Sequence, residues 1–180
     1  VATWDALELE EEIIAANGAG GMVRTMAEWA RHPQAAAVAA LPLLEIHRIG
    51  DSPPETLPEG NRPLAGIRVL DLTQGIAGPF GTKQLADHDA EVIKLERPGS
   101  GDPTRRAGPF PADRPDPEQS GLFLYLNTDK KSAVLDLRDP AGADALRALA
   151  RGADLLVESF RPGTLDRLGL GHAVLAAANP

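Results

Sequence analysis

The stretch Val69–Arg105, VLDLTQGIAGPFGTKQLADHDAEVIKLERPGSGDPTR, decides how this chain is read. A continuous apolar run with one acid, Ile67–Leu72, predicts a buried strand. A glycine turn follows, and Gly78-Pro79 is placed to open a helix reaching Asp87, with proline at the favoured first position. Glu91–Glu96 then predicts a second strand. Strand, turn, helix and strand in that order form a βαβ unit, and such units bind nucleotides where the turn meets the helix. The glycines are spaced G-x-x-G-x-x-G at Gly75, Gly78 and Gly81, unlike the G-x-G-x-x-G of dinucleotide sites. Glu96 does fall where a ribose-binding acid would sit, which keeps an NAD reading open. The glycines equally suit a tight turn and close helix–sheet packing.

Downstream the alternation continues. SAVLDL at 132–137 predicts a third strand, and DPAGADALRALARG a helix with Asp139 at its cap and Pro140 at its first position. ADLLVESF predicts a fourth strand, followed by one or two short helices to Pro180. Strands and helices joined by short connections imply a parallel sheet, so the fold class is α/β. Residues 97–120, with six Pro and four Arg, form a long loop of the functional or disordered kind.

Upstream, DALELEEEIIAA at 5–16 predicts an acidic amphipathic helix capped by Asp5 and ended by Asn17-Gly18. Thr25 with Glu28 is a capping box, and His32-Pro33 stops that second helix. An Ala-rich helix passing into a strand near Leu43–Ile49 completes a small mixed α/β segment, residues 1–49. A Pro-rich linker at 50–64 separates it from a Rossmann-like lobe over 65–180.

Composition narrows the function. The net charge is −8, and residues 1–60 hold ten acidic against three basic residues. No large basic block exists, so nucleic acid is not the expected partner. No run approaches the roughly 20 apolar residues of a membrane span, and VATWDALELEEE shows no basic region leading into an apolar one, so no signal peptide is expected. The absence of cysteine excludes thiolate metal sites and fits a reducing cytoplasm. His32, His47, His88 and His172 are scattered, so a zinc site is not expected.

The informative cations lie at strand ends. Arg97, Arg138, Arg161 and Arg167 follow strands, and Lys130-Lys131 precede one. In an open parallel sheet the groups beyond the carboxyl ends share a crevice, and converging arginines suit phosphates. Asp71 reads as a packing or strand-end hydrogen-bonding residue and Asp102 as a turn cap. No G-x-S-x-G or Ser–His–Asp arrangement is found. The residues themselves lead to an α/β domain with a phosphate-bearing ligand.

From Arg62 onward the sequence resembles the family III coenzyme A transferases, the group that includes formyl-CoA transferase, carnitine CoA-transferase and α-methylacyl-CoA racemase. PLAGIRVLDLTQGIAGPF, LADHDAEVIKLERPGSGDPTR, LNTDKKSAVLDLRDPAG and ADLLVESFRPGTLDRLGLG carry the resemblance, in order. It implies a CoA-binding lobe in interlocked homodimers, with a CoA thioester and a carboxylic acid acceptor as substrates. It places CoA contacts at Gly75, Ile76 and Ala77 in the turn, at the cations Arg97, Arg138 and Arg167, and at Leu135, Ser159 and Phe160 on the adenine side. It also implies that the nucleophilic Asp, and the proton-transfer pair of the racemase branch, lie beyond Pro180. Residues 1–57 resemble the family's distal part, which suggests a piece of a longer fused or tandem member. Asp89 stands where the family has Gly, and Asp129 and Ser159 where Asn is common. A transferase, a racemase or isomerase, and a non-catalytic CoA-binding or dimer-forming module all remain open at this stage.

Overall fold

The computed structural model describes residues 3–180. They divide into two compact units, one running up to Gly50 and the other Asp51–Pro180.

The first unit holds helices α1 (Ala6–Ala15), α2 (Met26–Arg31) and α3 (Pro33–Ala39). Their boundaries are set locally. The Asp5 carboxylate accepts the Leu7 N–H at 2.9 Å, satisfying one orphan amide of α1. Thr25 and Glu28 form the expected reciprocal box. His32 ends α2, and its Nδ1 then accepts the Gln34 N–H at 3.1 Å to start α3 with Pro33 at the first position. Glu10 folds the following loop back onto α1 by gripping the Arg24 guanidinium with both oxygens, each at 2.9 Å. Leu43–Ile49 does not form the expected strand. A strand needs a partner for its backbone groups, and no described residue of this unit is in one. The segment is therefore irregular, with Leu43, Leu44, Ile46 and Ile49 exposed.

In the second unit four strands, β1 (Arg68–Leu72), β2 (Glu91–Glu96), β3 (Lys131–Val134) and β4 (Leu155–Glu158), pair in parallel in the order β3-β2-β1-β4. Helix α4 (Ala77–Asp87) joins β1 to β2, and α6 (Pro140–Ala150) joins β3 to β4 across the sheet. The chain winds outward from β1 in one direction and then returns to β1's other side. The carboxyl ends of β1 and β4 therefore flank a topological switch point, where open α/β sheets hold their ligands.

The pleat divides the sheet into two chemistries. Leu70, Leu72 and Leu95 pack with Ala143, Leu146 and Ala150 of α6 and with Leu165 and Leu170. Val69 and Val92 face the opposite side, with Ala86 and Ala90. Alternation puts Asp71, Lys94 and Glu96 on that second face, and all three are buried. Gly142 lets α6 approach, because a Cβ there would lie 2.1 Å from the Asp136 carbonyl oxygen.

Three details depart from the sequence reading. Pro79 is the third residue of α4 and not the first, because the helix begins at Ala77. The third strand begins one residue earlier than expected, at Lys131, and stops at Val134. The 97–120 loop is ordered, with 3₁₀ turns at Pro103–Arg106 and Pro111–Asp113, and is followed by an unexpected short helix, α5 (Gly121–Leu126). Helices α7 (Thr164–Arg167) and α8 (His172–Ala176) complete the lobe.

Helices α4 and α7 close in the same way. Ala90 N–H bonds Leu85 O and Asp89 N–H bonds Ala86 O, as Leu170 and Gly169 bond Leu165 and Asp166. Each Schellman motif needs a left-handed residue; α7 uses Gly169 at φ 66°, whereas α4 uses Asp89 at φ 79°. A Cβ in that region is strained. Asp89→Gly is therefore expected to raise unfolding free energy by about 1 kcal/mol, read as an increased urea midpoint at unchanged slope.

Candidate functional site

The switch point is built around Asp71, the fourth residue of β1. Its Oδ1 accepts the Thr73 N–H at 2.9 Å and the Thr73 hydroxyl at 2.5 Å, which bends the chain directly after the strand. The three glycines that follow have separate duties. Gly75 sits at φ 78° with no atom within 4 Å of where a Cβ would be, so the backbone conformation requires it and the space beside it is open. Gly78 has close packing as its reason, since a Cβ would lie 2.4 Å from Thr73 Cβ. Gly81 has neither constraint: its φ is not left-handed and a Cβ would meet nothing within 4 Å. At the head of α4 the cap residue Ile76 offers no side-chain acceptor, and Ile76 and Ala77 are exposed. Unlike α1, α2 and α6, this helix presents its first turn without a side-chain cap, the arrangement that accepts an anion.

Beneath the turn lie buried charges. Lys130 Nζ is 2.9 Å from Asp71 Oδ2 and also donates to Pro79 O, Thr82 Oγ1 and Asn127 Oδ1 at 2.8–2.9 Å. Lys94 Nζ lies 2.9 Å from Asp102 Oδ2 and donates to the Thr73 carbonyl at 2.9 Å. Glu96 receives Arg105 at 2.8 and 2.7 Å, the Asp102 N–H at 2.8 Å and the Ser132 hydroxyl at 3.2 Å. Burial pushes the Asp71, Glu96 and Asp102 carboxyls up. Their hydrogen bonds and the adjacent cations outweigh burial and hold all three below the usual carboxylate range. Burial lowers the Lys130 ammonium, with Asp71 opposing. Glu96 is thus committed to Arg105 and offers no free oxygen to a ribose, which removes the support for an NAD site. Asp102 does cap the 3₁₀ turn at Pro103, and Asp71 does serve strand-end hydrogen bonding.

Sequence reasoning missed Lys94 and Arg105 and placed Lys130 among the strand-end cations. The signal for Lys94 was present: Val92, Lys94 and Glu96 share one strand face, so a lysine lay on a face begun by a buried valine.

The expected ligand residues are distributed as the parallel topology requires. Gly75, Ile76 and Ala77 follow β1; Arg97 follows β2; Leu135 and Arg138 follow β3; and Ser159, Phe160 and Arg161 follow β4. Ser159 is already an acceptor, taking the Gln74 N–H at 3.0 Å and tying the ends of β1 and β4 together. Leu135 and Phe160 are half-buried against the α6-side core. The Arg97 and Arg161 side chains are exposed and make no hydrogen bond or ion pair among the described residues. Arg167, the last residue of α7, reaches only the Thr164 hydroxyl, at 3.1 Å. Arg138 differs from them, because Asp136 holds its guanidinium with both oxygens, at 2.9 and 2.7 Å. Its ligand role would require sharing or exchanging that carboxylate. Among the described residues no group of His, Asp and Glu is arranged to hold a metal ion, and no helix is long and apolar enough to cross a membrane.

Fold and site together define a doubly wound α/β lobe with an open glycine turn and exposed arginines at the carboxyl edge of its sheet. The family model for CoA-transferase family III matches residues 64–180, and the chain belongs to that family. It is 44% identical over 119 residues to succinyl-CoA:glutarate CoA-transferase of Mus musculus, covering 66% of this chain and 26% of the relative. It is 45% identical over 118 residues to acetyl-CoA:oxalate CoA-transferase of Acetobacter aceti, covering 66% and 29%. A CAIB/BAIF family protein from Brucella suis matches in structure with a TM-score of 0.60 at 36% identity, covering 67% of this chain and 32% of that one. The chain therefore spans under a third of the length of these relatives.

Two outcomes follow from the buried pairs. Lys130→Met strands the Asp71 carboxylate and should cost about 3–5 kcal/mol, with much of the loss recovered in Lys130→Met/Asp71→Asn, as measured by urea unfolding. The three depressed carboxylates contribute stability that is fully present above their unfolded values, about 4. That contribution is lost as pH falls through their lower folded values, so acid titration followed by circular dichroism should show a plateau above about pH 5 and a decline below about pH 4.

Proposed function

We propose that the Asp51–Pro180 unit holds coenzyme A at the switch point, and that the longer protein moves CoA from an acyl-CoA to a carboxylic acid. The observation that carries this reading is the pairing of an uncapped, open glycine turn with three exposed arginines, Arg97, Arg161 and Arg167, whose side chains make no ion pair among the described residues. CoA offers a diphosphate for the turn and a 3′-phosphate for the arginines. Ile76 and Ala77 would take the diphosphate on their amides, with Gly75 giving it close approach to the backbone. Arg97, Arg138 and Arg167 would take phosphate charge, and Leu135, Ser159 and Phe160 would flank the adenine. The names of the relatives, all acting on CoA thioesters and acids, favour a transferase over a racemase.

In this mechanism a carboxylate attacks the thioester carbonyl, forming an acyl–enzyme anhydride and releasing CoA thiolate. The thiolate attacks the aspartyl carbonyl, expels the acyl carboxylate and leaves an enzyme–CoA thioester. The acceptor acid attacks that thioester to form a mixed anhydride, and returning thiolate yields the new acyl-CoA and the free aspartate. Asp71, Glu96 and Asp102 are buried and paired, so none serves as the nucleophile; that Asp belongs outside this segment. The role of residues 65–180 is to bind and orient. We assign the first unit to the family's distal part and read the working form as a cytoplasmic homodimer.

Calorimetric titration of the full chain tests the binding claim. CoA should bind, while dephospho-CoA and the Arg97→Ala variant should each show about tenfold to hundredfold weaker binding, the effect of one charge-assisted contact. NAD should not bind. A folded sample that ignores CoA would make the turn and its arginines mere scaffold and leave an interaction module in place of a CoA lobe.

A further inference from the structure

The Lys94–Asp102 pair has no part in the function above, yet it touches the turn twice. Both side chains are about as buried as any in the molecule, each residue being 1% exposed. Lys94 Nζ donates to the Thr73 carbonyl at 2.9 Å and lies 2.9 Å from Asp102 Oδ2. Asp102 Oδ1 accepts the Gly75 N–H at 3.4 Å, alongside the Thr104 N–H at 2.9 Å and hydroxyl at 2.6 Å. Between those two points the Gln74 N–H is held by Ser159. The backbone from Thr73 to Gly75 is thus gripped at each residue: Asp71 holds the Thr73 N–H, Ser159 the Gln74 N–H, and the other two grips come from one ion pair.

A buried ion pair is a poor choice for stability alone, because well-packed apolar residues do as well or better. It also puts a carboxylate directly behind a turn that is meant to receive an anion. That placement is tolerable only if the carboxylate is neutralised where it stands, which Lys94 does. Resting on the CoA reading, we propose that Lys94 and Asp102 are positioning residues for the diphosphate. Asp102 turns the Gly75 N–H inward and fixes the left-handed glycine, so the first amides of α4 face the ligand. Lys94 anchors the strand-end carbonyl and cancels the charge that would repel the phosphates. Neither group touches the ligand.

The test compares two charge-neutral variants of the full chain by calorimetry with CoA and dephospho-CoA. Lys94→Met/Asp102→Asn keeps an oxygen for the Gly75 N–H and should bind within about threefold of the parent chain. Lys94→Met/Asp102→Ala removes it and should bind both ligands about tenfold more weakly, one hydrogen bond's worth. The single Lys94→Met leaves an unneutralised carboxylate and should bind worst of the three. Because the pair serves the diphosphate, all these losses should be equal for CoA and dephospho-CoA, whereas Arg97→Ala should affect CoA alone; a general loosening of the fold has no reason to obey that ratio. Thermal melts without ligand confirm that each variant is folded, and the two doubles alone decide the matter if the single does not fold. Equal affinities for the two doubles would overturn the positioning role while CoA binding by the parent chain still stands. Failure of the parent chain to bind CoA would overturn both.

Discussion

A carboxylate at the end of the central strand sets the constraint that the rest of the lobe satisfies. Asp71 is fully buried on the α4 face of the sheet. An isolated charge there would be prohibitively costly, so every lone pair must find a donor. The donors come from three places: Thr73 in the turn, Thr82 on α4, at 2.6 Å, and Lys130 at the entrance to β3. Lys130 in turn binds the Pro79 carbonyl on α4 and the Asn127 side chain after α5. One charge therefore fixes the bend after β1, the placement of α4 and the return of a long loop to the sheet. The shape of the glycine turn follows from these anchors, with Gly78 supplying the close approach of helix to strand that they demand.

The parts of this arrangement that were legible in the sequence are those with local causes. The strand β1 was read to within a residue, because a strand buried on both faces appears as a nearly continuous apolar run, and β2 was read at its true ends although three of its six residues are charged. Asp5, Thr25 with Glu28, and Asp139 with Pro140 announced their helices because a cap acts within one turn. Helix α5 escaped notice for the converse reason. GLFLYL is only six residues, too short to show a period, and its Ser120 cap lacks the companion acid of a capping box. Leu43–Ile49 misled because a β-prone composition says nothing about whether a neighbouring strand exists. The exposed site residues could be placed at one edge once parallel topology was inferred. The buried partners could not, since Asp71 and Lys130 lie 59 positions apart and only the folded sheet brings them together.

The cations of the second unit divide into two populations with opposite uses. Lys94, Lys130 and Arg105 point inward, each beside a carboxylate, and their charge is spent on holding the chain. Arg105 adds a stack over Phe123, with its guanidinium 3.8 Å from the ring centre. Arg97, Arg161 and Arg167 are exposed, and among the described residues their side chains make no ion pair. Arg138 is intermediate, its charge already answered by Asp136. A chain with net charge −8 that leaves arginines unanswered along one edge of a sheet concentrates its positive potential there. Composition alone hides this, because the average over the chain is acidic.

The same division constrains where covalent chemistry can occur. A carboxylate nucleophile needs an accessible oxygen with a lone pair not already committed to a cation. Asp71, Glu96 and Asp102 lie buried around the turn, and each meets its charge with a lysine or arginine and further donors. Freeing any of them would dismantle the turn that it supports. On the CoA reading, binding and bond-making are therefore carried by different stretches of the polypeptide, with this segment corresponding to less than a third of the relatives' length. The separation has an electrostatic rationale. An ionised nucleophile placed among the phosphate contacts would repel the nucleotide, or be neutralised by the arginines that should hold it. On the same reading, keeping Asp71, Glu96 and Asp102 buried and paired, and the reactive acid elsewhere, would let one ligand meet positive charge at one end and a free carboxylate at the other.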